Sequence, residues 1–367
     1  MTTGVLFGGP SPEHDISILT GLQALRELAR AGRDVVGLYW TKTGEFVAVG
    51  ADVEAADFID EVPRSAAPLT LQVGEGGGFA STGRRSRGRG LDLDAVVVAT
   101  HGGPGEDGTL QAALDLAGVT YTGPSVAGAA LGMDKWAFGA VAAAAGLAVL
   151  PRALLDESTS SLDFAGPYIL KPRFGGSSIG IDVVADLATA RARLSANVHL
   201  ANGCVVEPFR DDLDDVQIAV RTYPRVALSA IERPLRRTEG AEILNYRDKY
   251  VGGEGMVTAP RELPATLGPG QAEVVEAAAR VIVDAASVRG VARIDFLVGP
   301  DEVYVNEVNT IPGSLSKHLF VDPPLDFLAL LDDLIAEAHE RPTHRYSTAG
   351  ADGLVLRSSG PIAAKLA

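Results

Sequence analysis

The N-terminal third alternates strand and helix, and that alternation restricts the chain to a sheet covered by helices. Residues 4–40 read as the strand GVLFGG, the helix ISILTGLQALRELARAG with apolar residues at helical spacing, and the strand VVGLYW. A second unit follows at LDAVVVATHGG with the helix DGTLQAALDLAG, and the short strand VTYTG succeeds it. Units of this type predict a parallel sheet, because parallel neighbours need a long crossover that a helix supplies. Between the units, GEGGGFASTGRRSRGRG is glycine-rich and locally basic and reads as an exposed loop.

From about residue 130 the pattern changes. The helix DKWAFGAVAAAAG leads to PYILKPRFGGSSIGIDVV, which reads as two strands joined by a glycine-rich loop, and then to the helix DLATARARLSA. VVEPF, VQIAV and VALSAIERPL are further strands, so this half reads as α+β with antiparallel pairing. A long loop follows EILNYRDKYVGG, then the helix AEVVEAAARVIVDAAS, a strand pair, and the amphipathic helix LDFLALLDDLIAEAHER. The closing STAGADGLVLRSSGPIAAKLA has no clear period and reads as a mobile tail.

The chain has 367 residues and a formal charge of −15. That length suits two or three domains of about 150 residues each. The charge leaves no broad basic surface to neutralise a nucleic-acid backbone, so no nucleic-acid partner is expected. Cys204 is the only cysteine, which excludes a disulfide framework and a cysteine-rich metal site. MTTGVLFGG shows no export signal, and the most membrane-like segment, FGAVAAAAGLAVLP, is too short to span a bilayer. The expectation is a soluble cytoplasmic protein with no membrane partner.

The strand pair carries the first chemistry. In VYVNEVNTIPG, Val303, Val305 and Val308 mark a buried strand, yet Glu307 and Asn309 interrupt it two positions apart. Strand side chains alternate with period two, so these leave the backbone on one face. VARIDFLV carries Arg293 and Asp295 at the same spacing, and Gly299-Pro300-Asp301 between the runs predicts an antiparallel hairpin. Asp295, Glu307 and Asn309 then converge as oxygen donors that suit Mg²⁺, an ion that keeps other positions for water and substrate phosphates. The competing reading pairs Arg293 with Asp295 structurally and leaves Glu307 and Asn309 facing solvent.

KPRFGGSSIG resembles a phosphate cradle: Gly176 lets backbone N–H groups approach an anion, Ser177 and Ser178 add hydroxyls, and Lys171 adds charge. It lacks the GK[ST] of a P-loop, and a plain hairpin turn is the alternative. Lys135 in GMDKWAF opens a helix, where a cation opposes the dipole and hints at an anionic ligand. In HGGPGEDG, Gly103, Gly105 and Gly108 spell GxGxxG, but Glu106 and Asp107 put carboxylates where a pyrophosphate would rest. His101, at the carboxyl end of its strand, is placed for a substrate instead. In GGPSPEHDIS, Ser11 caps a helix with Pro12 at its first position, leaving Glu13 and His14 at the mouth.

Taken in order, GGPSPEHDIS, HGGPGEDGTLQ, GMDK, KPRFGGSSIGI, YRDKY, ARIDF and NEVNTIPG resemble the motif set of the D-alanine–D-alanine ligases of the ATP-grasp superfamily, over roughly residues 4–340. The resemblance implies an α/β and α+β, three-domain ATP-grasp fold with an N-terminal parallel-sheet (pre-ATP-grasp) domain. Its divisions fall at 1–128 for that substrate domain, 129–212 for a central ATP-grasp subdomain, 213–345 for a C-terminal subdomain with the metal site, and 346–367 for the tail. It implies a homodimer that uses ATP and two Mg²⁺, with Mn²⁺ as a substitute, to form D-alanyl-D-alanine for peptidoglycan through an acyl phosphate.

The resemblance also assigns roles. Lys135 and Lys171 hold the ATP phosphates, Gly176 and Ser178 line the phosphate loop, and Asp295, Glu307 and Asn309 hold the metal ions. Arg293 and the backbone N–H of Gly313 match positions that stabilise the tetrahedral oxyanion. Glu13 matches the glutamate for the first substrate's ammonium, linked through Ser177 to Tyr250. His101 and Lys249 flank the reacting groups, with Lys249 and Tyr250 on a closing loop. Glu207 matches the adenine side, and Asp215 is a shorter candidate where the family has a glutamate for the ribose. GSLSKHLF puts Lys317 and His318 where a small polar residue usually helps hold the second substrate's carboxylate, so the second amino acid stays open. Two other readings remain: a ligase of related mechanism joining a different amino acid or amine in specialised metabolism, and a non-catalytic nucleotide-binding regulator, which has no need of an oxyanion donor such as Arg293.

Overall fold

The computed structural model describes residues 2–59, 62–82, 88–235, 260–343 and 347–362. Strand β1 (Thr2–Gly8) sits between β2 (Val35–Trp40) and β6 (Leu93–Val98) and is parallel to both. Helix α1 (His14–Arg30) makes the crossover from β1 to β2. Val5, Leu6 and Phe7 are fully buried in succession, as expected for a parallel strand covered on both faces. Beyond this parallel centre, which is as expected, the sheet is mixed. β3 (Phe46–Val49), β4 (Ala67–Gln72) and β5 (Gly78–Ser81) extend it antiparallel, in the order β5-β4-β3-β2-β1-β6. β5 lies within the glycine-rich run read as an exposed loop; Phe79 and Ala80 are buried, and the flanking glycines hid so short a strand. VTYTG contributes only an isolated parallel bridge between Tyr121 and Val96.

The second sheet is antiparallel, ordered β7-β10-β8-β9, from β7 (Ala153–Leu155), β8 (Tyr168–Pro172), β9 (Asp182–Val184) and β10 (Cys204–Pro208). β8 and β9 are the two strands expected on either side of the KPRFGGSSIG loop. Cys204 packs in this sheet's core with Leu170 and Val206, and burial pushes its thiol up to about 12, so it is an inert core residue.

The third sheet is ordered β13-β12-β11-β14-β15, from β11 (Asp214–Arg221), β12 (Ala227–Pro234), β13 (Arg261–Glu262), β14 (Val291–Val298) and β15 (Val303–Asn309). One face carries Ile218, Ile294 and Val308 into a core shared with Phe138 of helix α4 (Lys135–Ala144) and Ile282 of helix α6 (Gln271–Ala285). Fully burying each such side chain contributes roughly 1.5–3 kcal/mol, and this apolar face holds the register that fixes the opposite one. Along that opposite face Glu232 pairs with Gln217, Gln217 with Asp295, and Asp295 with Glu307, so one polar row crosses β12, β11, β14 and β15.

Three more helices belong to the connections: α2 (Thr109–Leu116), α3 (Val126–Met133) and α5 (Leu187–Ala196). Helix α7 (Phe327–Glu340) follows the third sheet in sequence yet packs Leu330, Leu331 and Leu334 into the core of the first. In the segment read as a tail, the short helix α8 (Leu354–Ser358) leaves Leu354, Val355 and Leu356 exposed.

Candidate active site

The second and third sheets face each other across a cleft lined by Lys135, Lys171, Gly176, Ser178, Glu207, Asp215, Arg293, Asp295 and Glu307. Lys135 stands in the first turn of α4, against the dipole. Asp134 caps that turn, accepting from the N–H groups of Trp136 and Ala137 at 3.1 Å each, and pairs with Arg173 at 2.6 Å. Burial pushes the Asp134 carboxyl up, but Arg173 and the helix N–H groups outweigh it and hold the group below its ordinary value. Lys135 Nζ is thereby set between Glu307 Oε2 at 2.8 Å and the carbonyl of Gly175 at 2.6 Å, which joins the glycine loop to β15.

Lys171 stands near the end of β8 with its ammonium 2.6 Å from Glu207 and 3.0 Å from Asn306 Oδ1. Val205 pairs with Lys171 in the ladder, so Glu207 is its diagonal neighbour on the same face. Glu207 is buried beneath the cleft and also meets Arg152 at 3.0 Å. Burial pushes its carboxyl up; Lys171 first, and then Arg152, bring it below the ordinary range. The residue expected on the adenine side is thus already held by two cations. Arg152 is a site residue that sequence reasoning missed, since only the register pairing Val206 with Ala153 carries it to Glu207.

The hairpin expectation holds in detail: Asp295 lies opposite Glu307 and Arg293 opposite Asn309. Arg293 grips Asp295 through two bonds of 2.7 Å, and Asn309 Nδ2 donates to the same carboxylate at 3.2 Å. Both sequence readings are therefore partly realised, because the Arg293–Asp295 pair exists inside the converging group. Among the described residues no cluster of three or more His, Cys, Asp or Glu side chains could by itself enclose a metal ion. Two carboxylates and an amide on one face fit Mg²⁺ nonetheless, since that ion takes one or two carboxylates and completes its shell with water and phosphate oxygens.

Glu13 stands at the start of α1, and Ser177 Oγ donates to its Oε1. Gly102, at φ +64°, and Gly176 flank this carboxylate; a Cβ at Gly102 would overlap Oε2, and one at Gly176 would lie 3.0 Å from it. Ser177 and Ser178 hold φ of 52° and 57°, a left-handed turn that costs non-glycine residues of order 1–3 kcal/mol each. Ser11 departs from its expected role. Helix α1 begins at His14 with Glu13 at the N-cap, while Ser11 Oγ donates to the carbonyl of His101 at 2.6 Å and accepts from Glu13 N–H at 3.1 Å. His14 is likewise buried rather than at the mouth, with Nδ1 on the Gly9 carbonyl at 2.7 Å and Nε2 on the Tyr39 hydroxyl at 3.1 Å.

His101 is buried behind the TIPG loop. Nδ1 lies 2.7 Å from the carbonyl of Ile311, so it must donate, and Nε2 accepts from Thr20 Oγ1 at 2.8 Å. Thr20 in turn receives Ser314 N–H at 3.0 Å. Burial pushes this imidazole down to about 4, which keeps it neutral. Glu106, which argued against a dinucleotide fingerprint, accepts Gly102 N–H and Ile311 N–H at 3.0 Å each. Burial, reinforced by Glu13, pushes its carboxyl up to about 7. Its role in the loop junction was invisible in sequence because its partner is about two hundred positions away.

Beyond Gly313, Ser314, Leu315 and Ser316 all hold φ near 50°. Lys317 Nζ sits 4.4 Å from the ring centroid of Phe327, while His318 lines the cleft with Nε2 3.7 Å from Glu232. Lys249 and Tyr250 lie outside the described residues.

Two sheets facing each other across a cleft with paired lysines on one wall and an acidic-amide row on the other, behind an N-terminal α/β unit, define an ATP-grasp ligase. The family model described as D-ala D-ala ligase N-terminus matches residues 2–124, and that described as D-ala D-ala ligase C-terminus matches residues 138–336. The chain belongs to the D-alanine–D-alanine ligase family. It is 32% identical to the D-alanine--D-alanine ligase of Kocuria rhizophila, over 92% of this chain and 94% of that one, and 30% identical to that of Bradyrhizobium sp., over 92% and 95%. Among solved structures, D-alanyl-alanine synthetase A from Vibrio cholerae aligns with a TM-score of 0.77 at 22% identity, over 92% of this chain and 98% of that one. VanG D-Ala:D-Ser ligase from Enterococcus faecalis aligns at 0.74 and 24%, over 92% and 99%. No helix among the described residues is long and apolar enough to cross a membrane.

Proposed function

We propose that the protein joins two D-alanine molecules at the expense of ATP, supplying the dipeptide for peptidoglycan. The observation that carries the reading is the convergence of Lys135, Lys171, Asp295 and Glu307 on one cleft in a chain of this family. A carboxylate is a poor electrophile. Its oxygen attacks the γ-phosphorus of ATP, ADP leaves, and an acyl phosphate results; the second amine then attacks the acyl carbon, and phosphate leaves. Such chemistry asks mainly for positioning and charge neutralisation. Lys135 and Lys171 turn from Glu307 and Glu207 to the phosphates, with Gly176 and Ser178 below them. Asp295, Glu307 and Asn309 hold Mg²⁺, which neutralises phosphate charge when bound. Arg293 and the N–H of Gly313 receive the oxyanion, and Glu13, braced by Ser177, takes the first substrate's ammonium. His101 supports the loop from behind, and Asp215 faces the ribose.

We assign the first amino acid to the N-terminal unit at 1–128, the nucleotide to 129–212 and 213–345, and expect a cytoplasmic homodimer on the family resemblance. A second reading, a ligase for another amino acid or amine, draws on His318, which lines the cleft beside Glu232 where the family carries a small polar residue. Purified protein with ATP, Mg²⁺ and D-alanine should release phosphate and yield a product that co-elutes with the D,D dipeptide. Phosphate release only with a different second amino acid would establish the other reading, and ATP binding without turnover would leave a regulator.

A further inference from the structure

Arg152 does not line the cleft, yet it touches the backing of both cleft lysines. Its side chain is only 6% exposed, at the entrance to β7. Nη2 meets Glu207 Oε1 at 3.0 Å, and Nη1 donates to the carbonyl of Lys135 at 2.7 Å. Glu207 binds Lys171 through its other oxygen, Oε2, at 2.6 Å. One buried carboxylate therefore serves two cations, of which only Lys171 lines the cleft.

Charge balance gives this arrangement a purpose. If Lys171 alone neutralised Glu207, turning its ammonium to a phosphate would strand an uncompensated carboxylate in a buried site, which low-dielectric surroundings oppose. A guanidinium that stays in place removes that penalty. We infer that Arg152 is a positioning residue for nucleotide binding: it remains on Glu207 as the standing counter-ion and so releases Lys171 to ATP. The bond from Nη1 to the Lys135 carbonyl holds the guanidinium in place while Nη2 meets Glu207. The inference rests on the proposed role of Lys171 as a phosphate ligand.

The test measures ATP affinity by calorimetry, alongside thermal unfolding, in the full chain. Arg152→Met should weaken ATP binding by about tenfold or more, the size expected when a charged bond is no longer released. The change should appear in the KM for ATP rather than in kcat, and Arg152→Lys should restore most of it. In a Glu207→Gln background no carboxylate holds Lys171, so adding Arg152→Met should leave ATP affinity unchanged. Wild-type affinity in Arg152→Met, or an equal loss in both backgrounds, overturns the inference. If Arg152→Met is too unstable to purify, Arg152→Gln, which removes the charge but keeps a polar donor, takes its place in both backgrounds with the same expected outcomes. Lys171→Met separates the levels: if it binds ATP as the wild type does, the phosphate role of Lys171 falls and this inference with it, whereas a weakened Lys171→Met beside an unchanged Arg152→Met overturns the inference alone.

Discussion

Glu106, on the loop after β6, accepts the backbone N–H of Ile311, on the loop after β15, at 3.0 Å. Its other oxygen accepts Gly102 N–H at the same distance, so one buried carboxylate ties the loop beside Glu13 to the loop that leads into Gly313.

That junction makes stability depend on pH. Glu106 rises from 4.5 to about 7 on folding, so its contribution is complete below pH 4.5 and is lost as pH rises toward 7. Glu106→Gln should flatten this slope. Thermal unfolding across the window should show the wild type losing stability relative to the variant as pH increases; parallel curves would refute the assignment.

His101 works in the opposite sense. Its imidazole falls from 6.5 to about 4 on folding, so its contribution is present above pH 6.5 and is lost as pH falls through 4. His101→Gln should therefore cost stability at neutral pH, by about 1–3 kcal/mol for the broken buried bonds, and should show a smaller further loss on acidification than the wild type. Denaturant titrations at neutral and acid pH would check both parts.

Glu307 holds Lys135 and belongs to the proposed metal group. Glu307→Gln should lower turnover by about 10²-fold or more, the scale of losing one electrostatic contact to the reacting phosphates, while most stability remains. Steady-state rates over a Mg²⁺ and Mn²⁺ series, with a melting curve as control, test the separation. A variant of near-normal rate would remove Glu307 from the metal set.

Gly102 has φ +64° and presents its bare Cα to Glu13. Gly102→Ala should strain the backbone by about 1–3 kcal/mol and displace the carboxylate, raising the KM for the first amino acid more than that for ATP. Equal effects on the two KM values would indicate a general loss of fold instead.

The hairpin of β14 and β15 was legible in sequence because alternation, charge spacing and a Gly-Pro-Asp turn are all local properties. The pairing of Asp295 with Glu307 follows from them almost directly. The lysines at positions 135 and 171 were legible for the same reason, each standing near the end of an element beside a turn or a glycine loop. Local pattern misled where the signal was weak: Ser11 has the chemistry of a cap but bonds to His101, and β5 is too short to show a period.

Sequence alone determined most of the element types and the polar face of β14 and β15, since each depends on neighbours within a few positions. Only the tertiary structure decided that α7 returns to the first sheet, that Arg152 shares Glu207 with Lys171, and that Glu106 and His101 brace the TIPG loop. These depend on the apolar burial that folds distant segments together, which sets contacts that no local pattern encodes.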